Sequence, residues 1–212
     1  MDKGSKVKRR CCERNIFKKD AIFIVITNKG VGKMKKRLRI LVIEIIGFLF
    51  VIVFGSLLHF TYEWSNYSRI VAYFSAVNES TWEHLKLAFF PSIFFDIFEY
   101  FLVKNEVNNY LFAEVLNLYI APILIVVLFY GYLAMFKTHS LLWDIFTFVF
   151  AVFVGRFIKY KILTAEKLPR IFLTVSIFLF LIIFFAFSLF TYLPPRFFLF
   201  KDPITGGFGI LK

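Results

Sequence analysis

Five apolar stretches, residues 40–61, 81–103, 111–136, 140–160 and 169–193, occupy most of this chain. Each has the roughly 20 residues an α-helix needs to cross a hydrocarbon core of about 30 Å at 1.5 Å per residue. A backbone in lipid must pair its N–H and C=O groups within the spanning segment. No series of alternating strands suggests a barrel, so helices are the expected solution. Composition agrees, since 59% of the 212 residues are hydrophobic, 32 are Phe and only 19% are charged. Soluble domains run at about 45–50% apolar and about 25% charged, and a core of this size could not hide the excess from water. With 10 Gly, 6 Pro and 2 Cys, the chain is neither a disordered segment nor a disulfide scaffold. The sequence predicts an all-α integral membrane bundle of five transmembrane helices.

The net charge of +12 would suit a nucleic-acid partner if it were spread over a surface, and it is not. Residues 1–39 hold 14 of the 26 Lys and Arg but only 3 of the 14 acids, leaving 12 basic and 11 acidic residues in the rest. A basic terminus directly before an apolar run reads as a cytoplasmic anchor, so membrane lipids are the expected partner and nucleic acid is not. Met34, followed by Lys35, Lys36, Arg37, Leu38 and Arg39, has the form of a bacterial membrane-protein start. Codons for residues 29–33 can also spell a ribosome-binding sequence just ahead of it. Residues 1–33 therefore read as a basic extension from a misassigned start. The alternative is a real extension whose AIFIVITN segment (21–28) lies at the membrane surface, being too short to cross. Cys11 and Cys12 fall in this stretch and carry no expectation of a disulfide. Residues 34–193 are then the five-helix membrane domain and 194–212 a tail.

Counting Lys and Arg between the spans sets the orientation. An inside N-terminus leaves Lys35, Lys36, Arg37, Arg39, Lys104, Arg156, Lys159, Lys161, Lys167 and Arg170 on the cytoplasmic side. The outer side receives Arg69, Lys86, Lys137, Arg196, Lys201 and Lys212. The dense clusters lie inside, giving N-in and C-out in a bacterial cytoplasmic membrane. On this count no Lys or Arg falls mid-span. Glu44, Asp96, Glu99, Glu114 and Asn117 sit toward the inner ends, and Glu44, Asp96 and Glu99 are close enough to the inner surface to reach water or the Lys and Arg clusters. Pro91 and Pro122 should bend their helices. The last span is apolar on all faces and is either lipid-exposed or fully buried. Tyr62, Trp64, Tyr67, Tyr73 and Trp82 read as an interfacial aromatic belt.

This orientation gathers all 3 histidines on the outer face, at the ends of spans. His59 has Glu63 four residues on, His84 closes the cluster Asn78, Glu79, Ser80, Thr81, Trp82, Glu83, and Asp144 follows His139 by about one turn. The tail brings Asp202 to the same side. Three imidazoles and a carboxylate would suit a zinc ion with one open position, at which bound water becomes a nucleophile near neutral pH. His59, His84 and His139 are the candidate metal ligands, Glu63 or Glu79 the ligand or general base, and Asp202 the orienting group. Asn78, Ser80, Glu83 and Asp144 would complete a hydrogen-bonded outer cluster. The structural alternative is that Ser80 and Glu83, at S-x-x-E spacing, form a capping box. The imidazoles would then be ordinary interfacial groups. No H-E-x-x-H, C-x-x-C, phosphate-binding glycine loop or G-x-S-x-G is present, so whether the chain is an enzyme stays open.

The strings LLHFTYEWS (57–65), AVNESTWEHLKLAFFP (76–91) and FKDPITGGFGI (200–210) resemble the marks of a family of small bacterial multipass membrane proteins carrying a domain of unknown function. The resemblance runs from about residue 34 to 211 and implies membrane localisation without a reaction. A fainter one is to transmembrane metal hydrolases related to alkaline ceramidases, whose S-x-x-x-H element is matched by Ser80 and His84. That superfamily also carries an H-x-x-x-H pair in its last helix, and this chain has no histidine after His139. The leading functional expectation is a binding or accessory membrane protein with a polar outer-face cluster. The alternatives are a metal-dependent hydrolase acting on a lipid or envelope substrate and a small transporter.

The topology is testable directly. Reporter fusions after Lys104 and within 159–167 should read cytoplasmic, and fusions after Ser68, at Lys137 and after Lys212 external. A cytoplasmic C-terminus would mean an even number of spans and would split the histidine cluster.

Overall fold

A computed structural model describes the backbone of residues 3–210 and the side chains of residues 30–210. Cys11, Cys12 and the 21–28 segment lie outside the described side chains. Among the described residues there are six α-helices and no strand: α1 (Lys3–Trp64), α2 (Arg69–Ala72), α3 (Thr81–Val103), α4 (Tyr110–Phe136), α5 (Leu141–Leu163) and α6 (Arg170–Phe190). A 3-10 turn, Phe198–Phe200, and one antiparallel bridge between Lys201 and Phe208 shape the tail. The chain divides into two compact units, Met1–Arg39 and Ile40–Lys212, and the second carries everything described below.

Four helices are long and apolar enough to cross a membrane: Gly30–Trp64 of α1, α4, α5 and α6. α3 equals α5 in length at 23 residues but carries Glu83, Lys86, Asp96 and Glu99. Exposure follows the logic of a lipid solvent. Leu142 is 81% and Phe98 69% exposed, while Lys86, Glu99 and Lys159 are fully buried. In water that arrangement would expose apolar surface and strand charges away from solvent. In hydrocarbon it does the reverse.

α3 supplies more of the apolar core than any other helix, through Leu85, Leu87, Ala88, Phe89 and Phe90. These pack with Val51 and Leu58 of α1, Leu118, Ala121 and Ile125 of α4, Ala151 and Val152 of α5, and Ile183 and Phe187 of α6. Close backbone approach depends on two glycines. A Cβ on Gly55 would run into the carbonyl oxygen of Leu87, and one on Gly155 would meet Asn117 Oδ1 at 2.5 Å. The α4–α5 link turns at Lys137, whose φ of 53° is left-handed. Of α6, only Ser176, Ile183 and Phe187 are buried, which decides for the lipid-exposed reading of that helix.

Several sequence expectations are corrected. Trp64 is exposed as a belt residue would be, but Tyr62 is buried and Trp82 is stacked on Phe187 at 4.6 Å and packed against Phe200 at 4.7 Å. The Trp82 ring sits at the core edge, where the tail folds back, and the Tyr62 ring meets Tyr67 edge-on. Lys86, Arg156 and Lys159, counted as surface charges, lie inside α3 and α5 and are buried. Glu44, Asp96, Glu99 and Glu114 are buried with them, so that of the two partners expected for Glu44, Asp96 and Glu99 it is the bases and not water that they reach.

The glycine contact gives a stability test. Gly55→Ala should destabilise the detergent-solubilised protein by about 1–3 kcal/mol through overpacking against α3. Gly131 has nothing within 4 Å of an added Cβ. Gly131→Ala should therefore be neutral or gain up to about 1 kcal/mol from helix propensity. Thermal unfolding of the two variants checks the pair, and equal melting temperatures would contradict the packing.

Candidate functional site

The start of α3 is built by side chains that satisfy its free N–H groups. Ser80 is the N-cap and its hydroxyl accepts from the Glu83 N–H at 3.4 Å. The reciprocal half of the expected capping box takes a different form, because Asn78 Oδ1 accepts from the Ser80 N–H at 2.8 Å. That releases Glu83. Its buried carboxylate accepts from the Val77 N–H at 3.2 Å and the Thr191 hydroxyl at 3.2 Å and pairs with Lys86 Nζ at 2.6 Å. Lys86 also donates to the Ala72 carbonyl at 2.8 Å and to Thr191 Oγ1 at 3.0 Å, tying α2, α3 and the end of α6 together.

The tail closes over this cap. Asn78 Nδ2 donates to the Gly209 carbonyl at 2.8 Å, and Gly209 sits at φ 67°, a conformation that favours glycine. Asp202, expected as an orienting group, serves the tail's own turn. Its carboxylate accepts from the Ile204 N–H at 2.8 Å and the Thr205 hydroxyl at 2.9 Å.

Beside the cap, His59, Glu79 and His84 converge. The two Nε2 atoms are 3.1 Å apart, and Glu79 Oε2 lies 3.4 Å from that of His84 and 3.7 Å from that of His59. His84 Nδ1 is 2.9 Å from the Ser80 carbonyl, which can only accept, so the proton sits on Nδ1. A neutral ring then leaves the Nε2 lone pair facing the other two groups. All three side chains are partly exposed. When the imidazoles are protonated instead, the Nε2–H groups of His59 and then His84 donate to Glu79 and hold its carboxyl well below the usual carboxylate range.

His139, Glu63 and Asp144 are not among these three converging groups, although Asp144 feels the charge of both His139 and His84. His139 is exposed in the α4–α5 link, with its ring 5.5 Å from that of Phe129. Glu63 is exposed in the last turn of α1 and Asp144 is half-buried in the first turn of α5.

Residue spacing also carried a signal that the sequence reading missed. Asp96 and Glu99 on α3, and Arg156 and Lys159 on α5, are each three apart and so share a helix face. These faces meet. Arg156 Nη1 lies 2.6 Å from Asp96 Oδ1 and 3.3 Å from Glu44 Oε2. Lys159 Nζ lies 2.7 Å from Asp96 Oδ1, 2.5 Å from Glu99 Oε2 and 2.8 Å from Glu114 Oε2. Four helices thus contribute to one cluster with four carboxylates and two bases, and the Tyr110 hydroxyl donates to Glu99 Oε2 at 3.4 Å.

A family of unknown function, DUF6512, has a profile that matches residues 32–210. The chain belongs to this family. No curated protein and no solved structure matches it. Two of the three strings that suggested a family with a domain of unknown function, around 76–91 and 200–210, are in mutual contact through Asn78 with Gly209 and Trp82 with Phe200. The DUF6512 match also takes in all six residues of the buried cluster and the whole His59, Glu79, His84 trio.

The cluster has a measurable stake in stability. Lys159→Met removes one of two bases from among four carboxylates, and breaking such a buried pair costs about 3–5 kcal/mol. Adding Glu99→Leu should recover part of that loss, because the double change removes an opposite pair and keeps the hydrophobic volume. Unfolding in detergent would read both, and strictly additive losses would contradict the coupling.

Proposed function

We propose that this chain is a multipass membrane protein that binds a zinc-class transition-metal ion at the outward-facing end of its bundle, through His59, Glu79 and His84. The observation that carries the reading is the convergence of two imidazole nitrogens and a carboxylate oxygen at separations of 3.1, 3.4 and 3.7 Å. Ligands about 2.0–2.1 Å from a tetrahedral zinc stand about 3.3–3.4 Å from one another, so the three separations bracket what the ion requires. His84 also has the backing a metal-bound imidazole needs, its other nitrogen donating to a backbone carbonyl. His139 takes no part in this reading.

The proposal includes five spans, N-in and C-out, in a bacterial cytoplasmic membrane, with residues 34–193 as the membrane domain and 194–212 as a tail on the outer face. α3 supports the fifth span: its 23 residues reach about 35 Å at 1.5 Å each. Its charges are paired with neighbouring helices, which removes the usual objection to such residues in lipid. Membrane lipids are the environment and nucleic acid is not a partner. The role is binding or accessory. A hydrolytic role is the second reading, favoured by one fact: two imidazoles and one carboxylate leave a tetrahedral position open to water.

Metal content of the detergent-purified chain tests the proposal. After zinc loading and desalting, wild type should retain about one zinc per chain, and His84→Ala and Glu79→Gln should fall below roughly a tenth of that as ligands are lost. His139→Ala should keep its zinc. Uptake should decline on acidification, since imidazole ligands must be deprotonated to bind metal. Wild type without stoichiometric zinc, or His139→Ala losing as much as His84→Ala, would overturn the site.

A further inference from the structure

The four carboxyls and two bases of the buried cluster would leave, if all were ionised, a surplus of two negative charges. Such a surplus does not stand bare away from water and is met by protons or by a cation. The hydrogen bonds decide for protons. Asp96 on α3 is bonded carboxyl to carboxyl with Glu99, about one turn along the same helix, and with Glu114 of α4. An ionised carboxylate only accepts, so each of these bonds contains a proton. Two bonds hold two protons, the number that the charge surplus requires.

The oxygens are divided to match. Lys159 Nζ meets Oε2 of both Glu99 and Glu114, at 2.5 and 2.8 Å, while Arg156 Nη1 and Lys159 Nζ share Oδ1 of Asp96 at 2.6 and 2.7 Å. The second oxygens, Asp96 Oδ2, Glu99 Oε1 and Glu114 Oε1, are buried and receive no donor from the ionised groups around them. Three acceptors orphaned side by side would each carry the desolvation penalty of an unmade bond, and protons among them turn that penalty into hydrogen bonds.

We infer that this cluster is a proton-binding site, holding one proton between Asp96 and Glu99 and one between Asp96 and Glu114, and that the second proton latches α4 to α3. The other groups facing it are Glu44 of α1, Tyr110 of α4, and Arg156 and Lys159 of α5. With both protons bound, two negative charges meet two positive ones. Loss of the Glu114 proton would set two like charges at hydrogen-bond distance across the α3–α4 joint, where both cannot ionise while the joint stays closed. Release of that proton is therefore tied to opening of the joint.

Infrared spectra of the detergent-solubilised full chain at neutral pH test the occupancy. A carboxylic acid gives a carbonyl band above the amide absorption, and Glu99→Gln and Glu114→Gln should each lower the wild-type band by about one group's share. Glu63→Gln, at the exposed end of α1, should leave it unchanged. Unfolding as a function of pH tests the latch. Carboxyls of the unfolded chain are ionised at neutral pH, so unfolding releases the cluster's protons. The wild-type unfolding constant should rise with pH about tenfold per unit more steeply than that of Glu114→Gln or Glu99→Gln, whose amides donate to Asp96 and have no proton to lose. Absence of the acid band in wild type, the result if an inorganic cation neutralised the cluster, would overturn the inference. So would a band unchanged in both Gln variants, or one pH slope shared by wild type and both variants.

Discussion

Charge balance away from water is the constraint on which the rest of this structure depends. Arg156 and Lys159 project from one face of α5 and are met by Glu44 from α1, Asp96 and Glu99 from α3, and Glu114 from α4. Each ion alone would carry a penalty of several kcal/mol in hydrocarbon, so no helix of the four can shift by a turn without stranding a charge. Apolar packing between helices in lipid is weakly selective, because lipid tails are as apolar as Leu. The ion cluster supplies the register that packing alone would leave loose. Gly55 and Gly155 then let α1 meet α3, and α5 meet α4, closely enough for these side chains to join.

The opposite end of α3 solves a different problem with the same means. A helix start leaves N–H groups free, and here Ser80, Asn78 and Glu83 take them up in a relay. Because Asn78 serves the Ser80 N–H, Glu83 is free to pair with Lys86. Because Lys86 is held, Thr191 at the end of α6 is drawn in, and the tail that follows reaches Asn78 through Gly209. The Ser80 carbonyl, fixed by this cap, orients His84. The geometry of the histidine pair thus rests on helix capping as much as on the histidines.

Much of this was legible in the sequence where a periodic or local rule applied. Helix type followed from apolar runs longer than a soluble core could use, and the Ser80 cap followed from its spacing to Glu83. His59, Glu79 and His84 were identifiable because helix ends on one side had to bring them near one another. His139 was not separable from them, since a link of a few residues leaves its direction free, and here the left-handed turn at Lys137 and the Phe129 ring set it. Asp202 was misread because the turn that uses its carboxylate depends on Thr205 and on glycines beyond it. That the bases of the ion cluster are buried was missed for a physical reason. Counting Lys and Arg by loop treats each as solvated, and that rule fails when a base at a span end finds a carboxylate on another helix. The i, i+3 pairing of like charges on α3 and again on α5 was the available sign, because two same-sign charges on one buried face require a partner face of opposite sign.

α3 carries a member of each polar cluster, with His84 near its start and Asp96 three turns or so further on, about 18 Å away along the axis. Between them the helix is held where Gly55 of α1 lies against the Leu87 carbonyl and where Phe89 stacks near Phe187 of α6, ring centroids 4.4 Å apart. Coupling between two sites requires an element with two discrete arrangements that each ligand favours differently. A helix pinned by backbone contact at its middle, capped at one end and charge-matched at the other offers no second arrangement of comparable energy. The two ends are therefore held independently by one rigid strut, and a substitution within the ion cluster that leaves the fold intact should leave the geometry of the histidine pair unchanged.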